Sequence, residues 1–384
     1  MIRRSPGSAP ARYALVMSIR VMIRLAVVVL SSLACAAEPL PADPGPTVQR
    51  MVEAVLSGDP ESYLACIDRS DPVFVREQEN WAHDLMTHRP ATFAIELSEQ
   101  DRIIHPDGSL TVPLEMTWRM QEAKRDRRVA FTARFVPDGP QWRYAGEQWV
   151  RVRAPGVEVL VEPELRTLGL HIASVLPGVR RHIDGMMRAQ VDRVQQVKVY
   201  RSMEHLQQSI YLSYADPLSG WNEPGEAIKL LGDDDQSGQH LRSLLAHEYG
   251  HCATFHLGPH ATDMPWWVLE GVAEYCSASV TGDSSQALRR VRRWAESDRL
   301  RDWNQLADFR GEAMNHQAYV YTQGHHMIEF LANRFGFDQV VQWLTAMARG
   351  ESIQSATSLV FHQTWDEIDA QWRQSLSIPA AAQP

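Results

Sequence analysis

The stretch His247-Glu248-Tyr249-Gly250-His251 gives the first indication of the fold, and Glu270-Gly271-Val272-Ala273-Glu274-Tyr275 follows it after a short interval. On an α-helix, residues four positions apart lie on the same face, about 5–6 Å apart at Cβ. Two imidazoles placed in this way can bind a single zinc ion at Zn–N distances of roughly 2.0–2.1 Å. We therefore predict a metal-binding helix in which His247 and His251 are two of the ligands.

The residues around the two histidines have the pattern of an amphipathic helix, which Gly258-Pro259 would end. Its apolar stripe consists of Leu241, Leu244, Leu245, Cys252 and Phe255. Glu248 directly follows the first ligand, so its side chain projects beside the metal-binding face. At that place a carboxylate can take a proton from a metal-bound water.

Glu270 is the candidate for the third ligand, because a catalytic zinc has three protein ligands and an open fourth position. Met264-Pro265-Trp266-Trp267 indicates the start of the helix that carries it, and Glu274 follows Glu270 by one turn. We expect Glu274 to accept the free N–H of a ligating histidine, which would fix the orientation of that ring. The sequence thus predicts a hydrolytic Zn²⁺ site formed by His247, His251 and Glu270.

The combined pattern resembles the gluzincin metallopeptidases, the clan that contains thermolysin and the zinc aminopeptidases, and most closely its peptidase MA-like domains. This resemblance implies zinc ligation by His247, His251 and Glu270. It also implies that Glu248 acts as general base and then as general acid during hydrolysis of a peptide bond.

A second resemblance to this clan lies downstream, at Val320-Tyr321-Thr322-Gln323-Gly324-His325. It is similar to the aminopeptidase stretch whose tyrosine stabilises the tetrahedral oxyanion, and it implies that role for Tyr321. Tyr319 lies two residues away, and for either tyrosine the alternative is a packed helix aromatic. His325 either assists the oxyanion or, by default, is an ordinary helix residue.

One element of the aminopeptidases is missing from this chain. They carry a Gly-x-Met-Glu-Asn strand that anchors the substrate amino group, whereas residues 220–228 read Gly-Trp-Asn-Glu-Pro-Gly-Glu-Ala-Ile. An aminopeptidase specificity is therefore not supported. We expect Glu223 and Glu226 to be loop carboxylates rather than substrate ligands.

Composition excludes some classes of function. The chain has 384 residues, of which 44% are hydrophobic and 22% charged, and its formal net charge is −9. This length predicts two domains and a leader, and the negative charge argues against a nucleic-acid partner. Arg289, Arg290, Arg292 and Arg293 form a local cluster, which we expect to be a solvated helix face paired with nearby Asp and Glu.

The N-terminus has the features of a secretory signal peptide, which we place within residues 1–37. Residues 25–33 are mostly apolar, too short a run to span a membrane, and Ala34-Cys35-Ala36-Ala37 offers small residues for cleavage. A secreted or periplasmic protein is therefore expected, without a membrane span after cleavage. Lipid attachment at Cys35 is the less favoured alternative, and an internal start at Met17 or Met22 remains open.

Residues 45–152 are predicted to form a separate domain, with helices first and an antiparallel sheet after them. Alternating apolar positions mark two of its strands, at Leu110, Val112, Leu114, Met116 and Trp118 and at Val129, Phe131, Ala133 and Phe135. With its closing segment Gln141–Gly146, this part resembles the cone-shaped NTF2-like (SnoaL-like) superfamily. We expect an accessory or pairing role and name no site residue in it.

A linker is predicted at Arg153-Ala154-Pro155-Gly156, followed by a gluzincin domain over residues 157–378. The fold class is therefore α+β: an NTF2-like cone, then a small mixed sheet, the metal helix and a C-terminal helical lobe. In this second domain we expect strands at 157–161, 197–200 and 227–231, a long helix at 165–187, and helices from 294 to 376. The cleft should lie between sheet and lobe. Asp233-Asp234-Asp235 is either a solvated acidic turn or a calcium site.

Two further questions stay open in the sequence. Cys252 and Cys276 lie on the two helices that must approach one metal, so they form either a disulfide or two small buried thiols. The leading function is a secreted zinc peptidase acting on a peptide or protein. The alternatives are a non-catalytic binding protein that keeps the fold and its metal, and a hydrolase of other amides or esters.

Overall fold

The computed structural model describes residues 43–377, except 190, 192, 233–237, 283–284 and 310. The predicted signal peptide, including Cys35, and the acidic residues 233–235 lie outside the described residues. The described residues belong to one compact unit of mixed α and β structure. None of the helices in this part of the chain is both long and apolar enough to cross a membrane.

The N-terminal half consists of three helices followed by an antiparallel sheet, as predicted. The helices are α1 (Gly45–Ser57), α2 (Pro60–Leu64) and α3 (Pro72–Asp84), and the strands are β1 (Pro90–Leu97), β2 (Ile103–Ile104), β3 (Leu110–Met120), β4 (Arg127–Asp138) and β5 (Gln141–Glu147). The strand order is β1-β3-β4-β5, with β2 paired to β3. Asp59 and Asp71 cap α2 and α3 with their carboxylates, each followed by a proline at the first helical position.

Side chains alternate along the long strands as the sequence predicts. Val112, Leu114, Met116 and Trp118 of β3 are buried against the helices, whereas Glu115 between them is exposed. Register shifts occur in β1 between Pro90 and Thr92 and in the β4–β5 pair, and such irregularities bend a sheet. The result is a curled sheet around an apolar core.

A second, mixed sheet follows. Its strands are β6 (Val150–Ala154), β7 (Val157–Val161), β8 (Gln195–Tyr200), β9 (Gly220–Trp221) and β10 (Ile228–Leu231), in the order β6-β7-β8-β10-β9. Strands β7, β8 and β10 are parallel, and the outer strands are antiparallel to them. Two helices, α4 (Arg166–Met187) and α5 (Met203–Ile210), connect them. The strands and long helix expected between residues 157 and 231 are confirmed.

The predicted linker at 153–156 is wrong. Arg153 and Ala154 complete strand β6, which pairs with β7 from Val150 to Ala154. Pro155 and Gly156 form the hairpin turn, where Gly156 has the positive φ of 71° that such a turn needs. Sequence alone did not show this because Pro-Gly marks hairpin turns and linkers alike.

The C-terminal lobe is helical. It contains α6 (Gly238–Phe255), α7 (Trp266–Thr281), α8 (Ser285–Glu296), α9 (Gln317–Phe335), α10 (Phe337–Ala348), α11 (Ile353–Phe361) and α12 (Trp365–Leu376), with short 3₁₀ turns at Ala261–Asp263, Trp303–Leu306 and Glu312–His316. A further 3₁₀ turn, Pro163–Leu165, precedes α4. Gly336 and Gly350 lie at the helix breaks, as predicted.

Glycines allow the central helices of the lobe to touch. A Cβ on Gly271 of α7 would lie 2.6 Å from the carbonyl carbon of Gly324 on α9, and a Cβ on Gly324 would lie 2.4 Å from the carbonyl oxygen of Trp267. Both distances are shorter than any side chain tolerates. The glycines of the two motifs therefore bring α7 and α9 into backbone contact beside the metal helix.

Buried polar contacts join the N-terminal half to the second sheet. The indole N–H of Trp81 donates to the Gln208 carbonyl at 3.0 Å, and that of Trp118 donates to the Leu212 carbonyl at 3.1 Å. Lys198 of β8 forms a buried ion pair with Glu77 of α3. Buried charges are stable only when paired, so these contacts fix the two halves against each other. The domain ranges 45–152 and 157–378 themselves stay a prediction.

His205 provides a test of this packing through pH. Its ring is 4% exposed and lies 3.2 Å from Glu147 Oε2 and 3.6 Å from Glu162 Oε1. Burial lowers the pKa of His205, but the two carboxylates outweigh it and raise that pKa to about 9, from 6.5.

Because the folded-state pKa is the higher one, the proton on His205 stabilises the fold fully below pH 6.5 and ceases to do so as the pH rises through about 9. We expect the free energy of unfolding to fall over this interval. Urea unfolding of the wild type and His205→Gln from pH 6 to pH 10 measures it, and the variant should show a flatter profile. Parallel profiles for the two proteins would contradict the assignment.

Candidate metal centre

The structure brings the three predicted ligands together. His247 and His251 lie one turn apart on α6, and Glu270 reaches them from α7. Glu270 Oε2 is 3.2 Å from His247 Nε2 and 3.4 Å from His251 Nε2, and the two Nε2 atoms are 3.3 Å apart. They form the one group of His, Cys, Asp or Glu side chains within the described residues whose spacing suits a metal ion.

The size of this triangle suits zinc. Ligands at 2.0–2.1 Å from a tetrahedral zinc are separated from each other by about 3.3–3.4 Å. The three measured separations, 3.2, 3.3 and 3.4 Å, match one face of that tetrahedron. Two imidazole nitrogens and one carboxylate oxygen also form a common donor set of catalytic zinc, which leaves the fourth position open.

Hydrogen bonds from outside the triangle direct its lone pairs inward. His247 Nδ1 lies 3.1 Å from Glu274 Oε1, so Nδ1 donates there and Nε2 keeps its lone pair. Trp266 Nε1 donates to Glu270 Oε1 at 2.8 Å. The other oxygen, Glu270 Oε2, is buried and has no hydrogen-bond partner among the described residues. With His247 deprotonated at Nε2, this atom, His251 Nε2 and Glu270 Oε2 converge on one point, an arrangement that suits a cation.

The pKa values also indicate a need for positive charge. Burial lowers the pKa of His247, but Glu270 and Glu274 outweigh it and raise that pKa well above its usual range. Burial raises the pKa of Glu270, and the neighbouring histidines outweigh it and hold that pKa well below its usual range. Both shifts show that this position attracts a proton or, equally, a metal ion.

Glu248 lies beside the triangle, against an edge strand of the second sheet. It is 5% exposed and lines the cleft. Burial raises the pKa of its carboxyl, Glu270 and Glu274 add to this, and the two histidines oppose it. A Cβ on Gly220 of β9 would lie 2.2 Å from Glu248 Oε1, so a side chain at position 220 would displace the carboxylate from this place.

Of the two candidate tyrosines, Tyr321 is the one at the cleft. Its ring stacks on His247 with a centroid distance of 5.9 Å, and it meets Trp266 edge-on at 6.2 Å. Burial and the nearby carboxylates raise the pKa of Tyr321 far above its usual range, so its hydroxyl keeps its proton. Tyr319 instead stacks on Trp294 at 4.0 Å. His325 is 4% exposed, next to Glu274 rather than in the main cleft.

The cleft itself has a volume of about 1440 Å³. The 211–224 segment forms one wall, α6 and α7 form the floor, and Phe309 and Tyr321 lie on the other side. Asn80 of α3 holds this wall from behind, because its amide donates to Glu223 Oε2 at 2.9 Å and to Glu226 Oε1 at 2.6 Å. The N-terminal half thus supports the cleft, a role that the sequence did not reveal.

Glu226 is a loop carboxylate, as expected, and it is buried: it is 2% exposed and pairs with Lys229 at 2.9 Å. The four arginines at 289, 290, 292 and 293 form no ion pair with any carboxylate in the described part of the chain. The neighbouring Asp283 lies outside the described residues, so their pairing with nearby Asp and Glu stays a prediction.

The two helix cysteines are separate buried thiols. Cys252 and Cys276 are both free, and burial raises the pKa of each to about 12. Of the two interpretations left open by the sequence, the structure shows the thiols. Cys252 Sγ accepts a hydrogen bond from Asn222 at 3.2 Å, and Cys276 packs against Gly250 of the metal helix.

Sequence reasoning missed the roles of Trp266 and Gly220. The sequence indicates only a helix start at Trp266, although its position four residues before Glu270 places both on one helical face. Gly220 has no comparable signal, because its contact with Glu248 joins a strand and a helix. No protein-family model matches this chain, and no curated protein matches it either.

The hydrogen bond between Glu274 and His247 should affect metal affinity. We expect Glu274→Ala to weaken zinc binding by about 10–100-fold, because the imidazole loses its acceptor and its fixed orientation. Competition with a chromophoric chelator measures the affinity. Glu274→Gln is the matched control, since its amide oxygen still accepts from Nδ1. Its zinc affinity should lie between those of the wild type and Glu274→Ala. Equal affinities for all three proteins would remove Glu274 from the site.

Proposed function

We propose that this protein is a zinc-dependent peptidase, secreted or periplasmic, with His247, His251 and Glu270 as the zinc ligands. The observation that carries the proposal is the buried triangle of acceptor atoms at 3.2–3.4 Å, with Glu248 and Tyr321 beside it. A purely structural zinc site would have a fourth protein ligand. Here only three ligand residues converge among the described residues, and they face an open cleft.

Zinc bound there would supply an acidified water and a polarised carbonyl. Glu248 is the group that moves the proton. Its raised pKa lets a carboxylate accept a proton from water and return it to the leaving amine. Gly220 keeps space for this carboxylate between β9 and α6, so its position is set by packing on both sides.

Tyr321 is the donor for the oxyanion in this proposal. Its hydroxyl stays protonated because burial and three carboxylates raise its pKa, and its ring is held by His247 and Trp266. A fixed neutral donor at the place where negative charge develops stabilises the transition state without reorganising.

The shape of the cleft favours a peptide over a compact substrate. Strand β9 ends the second sheet in the order β8-β10-β9, and its residues Gly220 and Trp221 line the cleft. An unpaired strand edge can bind an extended chain by main-chain hydrogen bonds. The open volume of about 1440 Å³ leaves room for such a chain on both sides of the triangle.

Glu248→Gln tests the catalytic role. We expect the variant to bind zinc as the wild type does, because Glu248 is not a ligand, and to lose hydrolysis by at least about 10²–10⁴-fold, because the amide cannot accept a proton. Metal analysis and initial rates on the same preparation measure both effects. A variant with wild-type turnover would contradict the assignment of Glu248 as the general base.

Tyr321→Phe tests the oxyanion donor. The ring packing is kept and only the hydroxyl is lost, so kcat should fall by about 10²–10³-fold with little change in thermal stability. Tyr319→Phe is the matched control two residues away, and it should keep the wild-type rate because Tyr319 packs on Trp294. Equal losses in both variants would indicate a structural effect instead.

The initial experiment is a cleavage profile of a peptide library by the mature protein, with and without a zinc chelator. Cleavage that the chelator abolishes supports the proposal. One equivalent of bound zinc without cleavage of peptides, other amides or esters supports the alternative, a binding protein that keeps the metal site. Cleavage of esters or non-peptide amides alone would support the hydrolytic zinc site and contradict a peptide substrate.

A further inference from the structure

A second groove opens from the metal cleft and forms an arm of it between α6, α7, α8 and α9. The two spaces share five lining residues, among them Glu274 and Tyr321. The arm has a volume of about 840 Å³. A chain bound across the metal triangle can therefore enter the arm in one of its two directions.

Three arginines line this arm. Arg293 lies four positions after Arg289 and three after Arg290 on α8, so it is a neighbour of both on the helix surface. None of them forms an ion pair with a carboxylate in the described ranges, and Glu274, the arm's one described acidic lining residue, already accepts from His247. Among the described residues, no carboxylate neutralises these guanidinium groups, so they can bind an anion.

The rest of the cleft has the opposite charge. Away from the arm, its described lining includes no Lys or Arg, and its acidic residues are Asp84, Asp216, Glu223, Glu248, Asp263, Glu270 and Asp308. Like charges repel and opposite charges attract an incoming ligand. The cleft therefore changes from acidic to basic on passing the metal triangle.

A buried group in the arm also lacks a partner. His325 is 4% exposed, and its Nε2 atom has no hydrogen-bond partner among the described residues. It lies one helical turn after Tyr321 and lines the arm. A buried polar nitrogen without a partner is costly, so His325 adds an unmet hydrogen-bonding group to the residues that line the arm.

From these observations we propose that the arm is a subsite for acidic side chains of the substrate, on one side only of the bond that is cleaved. This proposal rests on the peptidase function proposed above. Carboxylates are the substrate groups that guanidinium forks bind best. On the other side of the bond, the acidic residues of the main cleft disfavour Asp and Glu.

Matched peptides test this selectivity. One fluorogenic peptide carries two Glu before the scissile bond, a second carries them after it, and each has a twin with Gln in the same places. We expect one of the two Glu peptides to exceed its Gln twin about tenfold in kcat/KM, and the other to fall below its twin. High salt should reduce the preference, because exposed charges are screened.

Variants of the arm connect the preference to its residues. In Arg289→Gln/Arg290→Gln/Arg293→Gln, the ratio of kcat/KM between the preferred Glu peptide and its twin should fall about tenfold. The control removes three exposed charges elsewhere, in Lys124→Gln/Arg125→Gln/Arg128→Gln, none of which lines the cleft or the arm. That control should keep the wild-type ratio.

The outcomes separate this proposal from the peptidase function. Three outcomes would contradict the subsite but leave the peptidase function standing: cleavage without preference, the same preference on both sides of the bond, or a ratio that the arginine variant leaves unchanged. If no peptide is cleaved, the peptidase function fails. In that case fluorescence anisotropy tests the arm alone, by measuring how the Glu peptides and their Gln twins bind to the zinc-loaded wild type and to the arginine variant. Equal binding of Glu and Gln peptides overturns the subsite. Tighter binding of a Glu peptide that is lost in the arginine variant supports it.

Discussion

Three acceptor atoms share one buried place between α6 and α7, and the arrangement of the lobe depends on how their repulsion is relieved. His247 Nε2, His251 Nε2 and Glu270 Oε2 lie 3.2–3.4 Å apart. Hydrogen bonds from Trp266 and to Glu274 occupy the atoms behind them, so the inward atoms have no protein donor of their own. A divalent cation relieves this repulsion best, and its binding would stabilise the packing of the two helices.

The helices hold these atoms because their backbones touch. Gly271 and Gly324 let α7 and α9 approach without side chains between them, and Gly250 lets α6 approach α7 at Ala273 Cα. Such contacts leave little freedom for sliding, since any side chain there would collide with backbone. Tyr321 on α9 is thereby fixed relative to His247 on α6. A catalytic group needs this kind of support to stay within a few tenths of an ångström of its working position.

Charged side chains of both signs lie around the cleft. The N-terminal half contributes Asn80, which holds Glu223 and Glu226 behind the cleft wall, and Glu77, which pairs with Lys198. These carboxylates are paired or hydrogen-bonded, whereas the arginines of α8 form no ion pair with a carboxylate among the described residues. A protein with a net charge of −9 thus keeps a local cationic surface at one end of its cleft, where it can select a ligand by charge.

The sequence by itself determined the elements that depend on local periodicity: the long strands of the first sheet, helix α6 with His247 and His251 on one face, and the helix beginning at Trp266. The place of Glu270 beside the two histidines was expected from the resemblance of the combined motif, and the packing of α7 on α6 brings it there. Spacing of three or four residues on a helix, or of two on a strand, is a short-range property that can be recognised in the sequence itself. Tertiary structure alone decided that residues 150–154 join the second sheet, that Tyr321 rather than Tyr319 faces the cleft, and that Gly220 makes room for Glu248. It also placed the α8 arginines beside the metal site. Each of these depends on which distant segment lies opposite, and that is set by packing of the whole core rather than by the residues of one segment.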